Sequence, residues 1–95
     1  MGQKKEVTIL QDGKVDKENC ELEKDKGDEV RWNSNYGPWK VRFTGGSPFS
    51  ASEFDVPAGG HSNWSGAPTG AKRQYPYDVR TGAGAAVADP NIIIK

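Results

Sequence analysis

A chain of 95 residues has room for one domain, so residues 1–95 are predicted to form a single folded unit. Its 13 basic and 13 acidic side chains cancel, which removes the positive surplus that attracts nucleic acids and anionic membranes. One cysteine and one histidine exclude an internal disulfide and two-imidazole metal sites, and no apolar run approaches the about 20 residues of a membrane helix.

Hydrophobic residues in the first half of the chain alternate with polar ones, with the period of two that is typical of strands. Charged neighbours fall on the opposite side, so each predicted strand has one buried face and one wet face. Trp32 is therefore predicted to be buried against an opposite sheet, and Cys20 to be a buried, unreactive thiol. The alternating pairs are, in chain order, Val7 and Ile9, Cys20 and Leu22, Val30 and Trp32, and Val41 and Phe43.

Residues 44–71 contain no Lys or Arg and are rich in Gly, Pro, Ser and Ala. Turn-forming residues recur about every ten residues in this segment, a spacing that suits short strands rather than helices. A flexible linker would lack large side chains such as Phe49, Phe54 and Trp64. The segment is therefore predicted to be loops and strands within the same domain.

The last part of the chain resumes the strand pattern. Tyr75, Tyr77 and Val79 alternate with polar residues, and residues 92–94 are β-branched. No segment carries the i, i+3, i+4, i+7 apolar stripe of an amphipathic helix. Roughly seven short strands with Gly/Pro turns predict an all-β protein, an antiparallel sandwich or barrel.

Ordinary catalytic arrangements are not supported by the sequence. His61 follows two glycines in a turn-rich segment, and no nucleophile elbow surrounds a serine, so an exposed loop histidine is favoured over a general base. The chain is therefore predicted not to be an enzyme. A second hypothesis is a divergent metal-binding or redox protein, in which His61 and acids such as Glu53 or Asp55 form a weak metal site.

Four aromatic residues lie in or beside predicted loops and are the candidate binding residues: Tyr36, Trp39, Phe49 and Trp64. Loop aromatics either cap the core of a small domain or form an exposed surface for a sugar, a peptide or another domain. Capping is the favoured alternative, because only 34% of the residues are hydrophobic and a lean core needs its large side chains.

The order of these motifs resembles that of the cupredoxins, the small blue-copper family that includes plastocyanins and azurins. The resemblance implies a single Greek-key β-sandwich and an extracytoplasmic location. The similar segments are residues 7–9 (first strand), 21–33 (a Lys-Gly-Asp turn before a Val-x-Trp-x-Asn strand), 37–43 (where a His precedes a Val-x-Phe strand), 70–79 (the Tyr-x-Tyr/Phe-x-Cys strand), and 80–84 with 92–94 (ligand loop and final strand).

Carried over by position, the family's copper ligands fall on Trp39 and Val79 and near Gly82 and Val87, none of which ligates copper. The resemblance therefore implies a metal-free, monomeric binding or structural module without a cofactor, whose partner is a protein, peptide or carbohydrate. Its site would be the loop end that held copper. There Trp39 either seals the vacated pocket, which is favoured because small cores do not leave holes, or keeps its ring partly open. A generic immunoglobulin-like or fibronectin-like sandwich is the alternative fold.

Overall fold

The computed structural model describes residues 2–81 and 86–95, with the backbone alone at Val87. Within these residues the regular structure is β-strand, apart from one three-residue 3-10 helix at Lys24–Lys26. The predicted all-β class is confirmed. The strands of the described residues are β1 (Lys4–Thr8), β2 (Asn19–Leu22), β3 (Glu29–Ser34), β4 (Trp39–Phe43), β5 (Glu53–Val56), β6 (Gly60–His61), β7 (Gln74–Thr81), β8 (Ala86–Ala88) and β9 (Asn91–Ile94).

The strands form two sheets of mixed direction. The smaller sheet has the order β1-β3-β6, and the larger has the order β2-β9-β7-β4-β5, with β8 pairing β7 outside this path. β1 runs parallel to β3 and β2 runs parallel to β9, while the other pairs are antiparallel. The prediction of a purely antiparallel arrangement of roughly seven strands is therefore wrong, because alternation reports which face of a strand is buried and not its direction or partner.

The core lies between the sheets and is centred on Trp32 of β3, whose side chain is 0% exposed. Ring centroids of Phe43, Phe54 and Tyr77, all on the larger sheet, lie 5.0–6.2 Å from the centroid of Trp32. The indole Nε1 of Trp32 donates a hydrogen bond to the hydroxyl of Tyr77 at 3.1 Å. The predicted burial of Trp32 against an opposite sheet is confirmed.

The inward positions of the predicted alternation are also buried. Burial raises the pKa of the Cys20 thiol, which makes the reactive thiolate scarcer and agrees with a structural cysteine. None of the helical structure in the described part of the chain is long and apolar enough to cross a membrane. The buried alternating residues are Val7, Ile9, Cys20, Leu22, Val30, Trp32, Val41, Phe43, Tyr75, Tyr77 and Val79, joined by Ile92 and Ile94 of β9.

Three connections meet at one end of the molecule, which we call the loop end: residues 9–15, residues 34–39 and the end of β7 at Thr81. The N–H of Ile9 donates to the carbonyl of Asn33 at 2.8 Å, which brings the first two connections together. Trp39 pairs with Thr81 in the β4–β7 register, which adds the third. Of the expected ligand loop at residues 80–84, residues 82–84 lie outside the described residues.

Candidate functional site

The four candidate aromatic residues do not form one surface. Tyr36 is exposed, Trp39 and Trp64 are half-buried, and Phe49 is buried. Tyr36 and Trp39 lie at the loop end, whereas the other two lie elsewhere. The four residues therefore separate into a loop-end pair, a core residue and a residue on the outside of the smaller sheet.

The loop end is organised by the buried side chain of Ser34. Its hydroxyl donates to the carbonyl of Ile9 at 2.7 Å and accepts hydrogen bonds from the backbone N–H of Tyr36 at 3.0 Å and the indole Nε1 of Trp39 at 3.1 Å. One hydroxyl thus connects the residues 9–15 turn, the residues 34–39 loop and the first residue of β4. The positions of the neighbouring side chains are set by these bonds.

Leu10 joins Tyr36 at this end and was missed in the sequence analysis. Leu10 and Tyr36 are each 45% exposed and are the exposed large hydrophobic side chains among the described residues. Leu10 lies in a tight turn, because its N–H donates to Lys14 and its carbonyl accepts from Gly13, which has a φ of 89°. Its signal in the sequence is a second apolar residue directly after Ile9, which breaks the alternation just before an Asp-Gly turn.

Trp39 faces inward, as its parity with Val41 predicts, yet it is only half-buried. Its ring packs against the core cluster and also lies over the backbone of Gly37. A Cβ at Gly37 would lie 2.8 Å from Cδ1 of Trp39, and its φ of +123° also favours glycine. Trp39 therefore fills part of the space at the mouth of the core and leaves the rest of its ring accessible.

Phe49 is a core residue in the structure. It is 4% exposed, and its ring lies 5.9 Å from Phe43 and 6.2 Å from Phe54. Phe43 ends β4, so Phe49 lies far from the loop end, where β4 begins. For Phe49 the structure thus shows the core-capping alternative, because the ring packs into the aromatic core.

Trp64 lies beside the outer face of the smaller sheet, near the start of β3. The guanidinium carbon of Arg31 is 4.5 Å and the Nζ of Lys4 is 5.1 Å from its ring centroid, as expected for cation–π contacts. Arg31 also contacts the carboxylate of Glu6 at 3.1 Å. Hydrogen bonds from Arg31 and Asn33 lower the pKa of Glu6 and so favour its charged form. This face therefore carries a carboxylate as well as the cationic side chains of Arg31 and Lys4.

His61 lies in a surface cleft of about 340 Å³ together with Trp64, Glu53 and Asp55. The residues of the second hypothesis are therefore brought to one place. However, within residues 2–81 and 86–95 no three His, Cys, Asp or Glu side chains converge closely enough to hold a metal ion. The described residues of the cleft therefore form no ligand set for the metal of the second hypothesis.

Two of the positions that the resemblance equates with copper ligands lie on neighbouring strands. Val79 of β7 pairs with Val41 of β4, two residues from Trp39, and is fully buried. The position near Gly82 is outside the described residues. Comparisons with protein-family models, with curated proteins and with solved structures find no match to this chain.

Proposed function

We propose that the chain is a metal-free, cupredoxin-like Greek-key sandwich that acts as a non-enzymatic binding module, with a protein partner docking at the loop end. The observation that carries this proposal is that Leu10 and Tyr36 belong to two connections that meet at this end, where the Ser34 hydroxyl bonds both the carbonyl of Ile9 and the N–H of Tyr36. They are the exposed large hydrophobic side chains of the described residues, and the indole of the half-buried Trp39 donates to the same Ser34 hydroxyl as the N–H of Tyr36.

Exposed apolar and aromatic side chains that cluster suit a protein interface. Tyr and Trp are enriched in such interfaces, where they provide a large contact area with few rotatable bonds. At the loop end, Ser34 already holds the backbone of Tyr36 and the indole of Trp39. Less conformational entropy of the residues 34–39 loop is therefore lost when a partner binds.

The cupredoxin-like part of the proposal is supported by the arrangement of positions 39 and 79. The resemblance requires these positions to approach one another at the loop end, and they lie two residues apart in the β4–β7 register. Trp39 and Val79 have no thiolate or imidazole, so a blue-copper centre has no ligands there. Adding Cu(II) to the purified protein should give no intense visible band of a His2Cys centre.

The docking proposal is tested with peptides selected from a random displayed library against the immobilised protein. The selected peptides should shift amide resonances of residues 10–12 and 34–39 in a ¹⁵N-labelled sample. A Leu10→Ser/Tyr36→Ser variant should bind them at least about tenfold more weakly. Trp64→Ala, which changes the other surface, is the matched control and should bind as the parent does.

Equal peptide affinity of the parent and the Leu10→Ser/Tyr36→Ser variant would contradict the proposal, as would amide shifts confined to residues away from the loop end. Both side chains are exposed, so their replacement is expected to leave the fold intact. A dispersed amide spectrum of the variant checks this before affinities are compared.

A further inference from the structure

A surface cleft lies between two consecutive segments of the chain that belong to different sheets. β5 joins the edge of the larger sheet, and residues 60–65 join the edge of the smaller one. The second segment is held to β3 because the N–H groups of Ser62 and Ser65 donate to the carbonyls of Trp32 and Val30. Only residues 57–59 connect the two segments, so both walls of the cleft come from one short stretch of the chain.

Among the described strands β5 is an edge strand, so one side of its backbone has no strand partner there. The N–H of Phe43 donates to the carbonyl of Ser52, so Ser52 and, two residues on, Phe54 turn their backbone groups toward β4. In an antiparallel pair the alternate residues turn away. The backbone N–H and C=O groups of Glu53 and Asp55 therefore face the side of β5 on which the cleft lies.

The opposite wall adds side-chain groups that are free to bind. Nδ1 of His61 lies 3.0 Å from the carbonyl oxygen of Ser62, which only accepts, so Nδ1 carries the hydrogen and Nε2 of the neutral ring is an acceptor. Asn63 is exposed and its amide makes no hydrogen bond to the rest of the described chain. Trp64 adds an aromatic surface, held by its contacts with Arg31 and Lys4.

The charges around the cleft favour a neutral ligand. The carboxylates of Glu53 and Asp55 are already compensated, because Nζ of Lys40 lies 3.5 Å and 3.7 Å from them and Nε of Arg42 lies 3.6 Å from Glu53. Neither lysine nor arginine is among the described residues that line the cleft, so the lining offers an anion no ammonium or guanidinium partner. The remaining lone pairs of the carboxylates still accept hydrogen bonds.

We propose that this cleft binds a neutral, hydroxyl-rich ligand, a single sugar unit such as the end of a glycan. Both walls carry hydrogen-bond donors and acceptors, and they suit hydroxyl groups because a hydroxyl both donates and accepts. The Trp64 ring offers a surface for the C–H face of a sugar. A volume of about 340 Å³ is at the lower end of the about 300–1,000 Å³ of small-molecule pockets. The site is separate from the loop end.

The test is a titration of the full-length ¹⁵N-labelled protein with D-glucose, D-galactose, D-mannose and N-acetyl-D-glucosamine. At least one sugar should cause saturable shifts at residues 53–55 and 61–65, with a dissociation constant in the millimolar range expected for so small a ligand. Asn63→Ala should weaken binding about threefold to tenfold and Trp64→Ala about tenfold. Tyr36→Ala, at the loop end, is the control and should bind the sugar as the parent does.

Two further probes separate the other possible occupants. Methylammonium tests for a cation, and tetraalanine tests for an extended peptide that pairs with β5. The proposal is overturned if no sugar causes saturable shifts at the highest soluble concentration, or if either probe binds the cleft and no sugar does. Undiminished sugar binding by Asn63→Ala also overturns it. That side chain is exposed and without an intramolecular hydrogen bond among the described residues, so its loss does not confuse folding with binding.

Discussion

The edges of the two sheets meet on two sides of the molecule, and these sides differ. On one side, β1 and β2 are joined by lysines: Nζ of Lys17 donates to the carbonyl of Glu6 and Nζ of Lys5 to that of Glu21, each at 2.6 Å. On the other side, β5 and residues 60–65 line the cleft. We call these the closed side and the open side.

The difference follows from where the basic residues lie in the chain. The open side is built from residues 44–71, which contain no Lys or Arg, so this segment has no long cationic side chain to place on its own free carbonyl groups. The closed side is built from the charge-dense first part of the chain. Unpaired strand edges are therefore covered by lysine side chains on one side and remain available to a ligand on the other.

The largest effect on stability is expected from Trp32, which is buried between the two sheets and so is shared by the closed side and the open side. Trp32→Ala should lower the free energy of unfolding by about 3–5 kcal/mol, because the ring is fully buried between the sheets and its removal leaves a cavity. Urea denaturation measures the change. Trp64→Ala, which removes a half-buried ring on the open side, should cost much less, and equal losses for the two tryptophans would contradict the core described here.

The next effect concerns Asp28, which anchors the closed side. Its carboxylate is buried and accepts hydrogen bonds from the backbone N–H of Gln3, just before β1, at 2.8 Å and of Glu23, just after β2, at 2.9 Å. An amide accepts through one atom only and would turn its NH2 toward the other donor. Asp28→Asn should therefore lower the free energy of unfolding by about 1–3 kcal/mol at neutral pH.

The same carboxylate makes the stability of the closed side depend on pH. The two backbone hydrogen bonds, from Gln3 and Glu23, lower the pKa of Asp28 below its usual range. A group with a lower pKa in the folded chain stabilises it above the unfolded value of about 3.9, and this stabilisation is lost as pH falls through the folded pKa. The urea midpoint of the parent should fall over this acid range, and that of Asp28→Asn should fall less. Parallel pH curves for the two proteins would show that Asp28 is not the anchor.

These features differ in how well they could be predicted from the sequence. The burial of Val30 and Trp32 could be predicted, because alternation along one strand is a local property. The parallel pairing of β1 with β3 could not, because it depends on the register between distant segments. For the site, the turn residues around Tyr36 indicated a loop but not the exposure of its ring, since core capping was favoured. The burial of Phe49 and the contacts of Trp64 depend on strands that are distant in the chain.

A smaller effect is expected from the lysines that close the β1–β2 edge. Lys17→Met and Lys5→Met should each lower the free energy of unfolding by about 0.5–1 kcal/mol, because each removes one charged hydrogen bond to a backbone carbonyl near the surface. Lys72→Met is the control, since Lys72 instead pairs with the exposed carboxylate of Asp25. If Lys72→Met lowers the free energy of unfolding as much as Lys17→Met and Lys5→Met do, the two lysines at the β1–β2 edge stabilise the fold no more than an exposed ion pair does.

The smallest effect is the coupling between Trp64 and Arg31 on the open side. A double-mutant cycle of Trp64→Leu and Arg31→Met should give an interaction energy of about 0.5–1 kcal/mol, the range of an exposed cation–π pair. The contact of Arg31 with Glu6 is lost in both tryptophan backgrounds, so it cancels in the cycle. A cycle of Trp64→Leu with Lys72→Met should give no coupling. If the Trp64–Arg31 cycle also gave no interaction energy, the cation–π contact would not be what holds the Trp64 ring in place. A clear coupling would mean that cationic side chains stabilise both sides of the molecule. On the closed side they bind backbone carbonyls, and on the open side they hold the aromatic wall of the cleft.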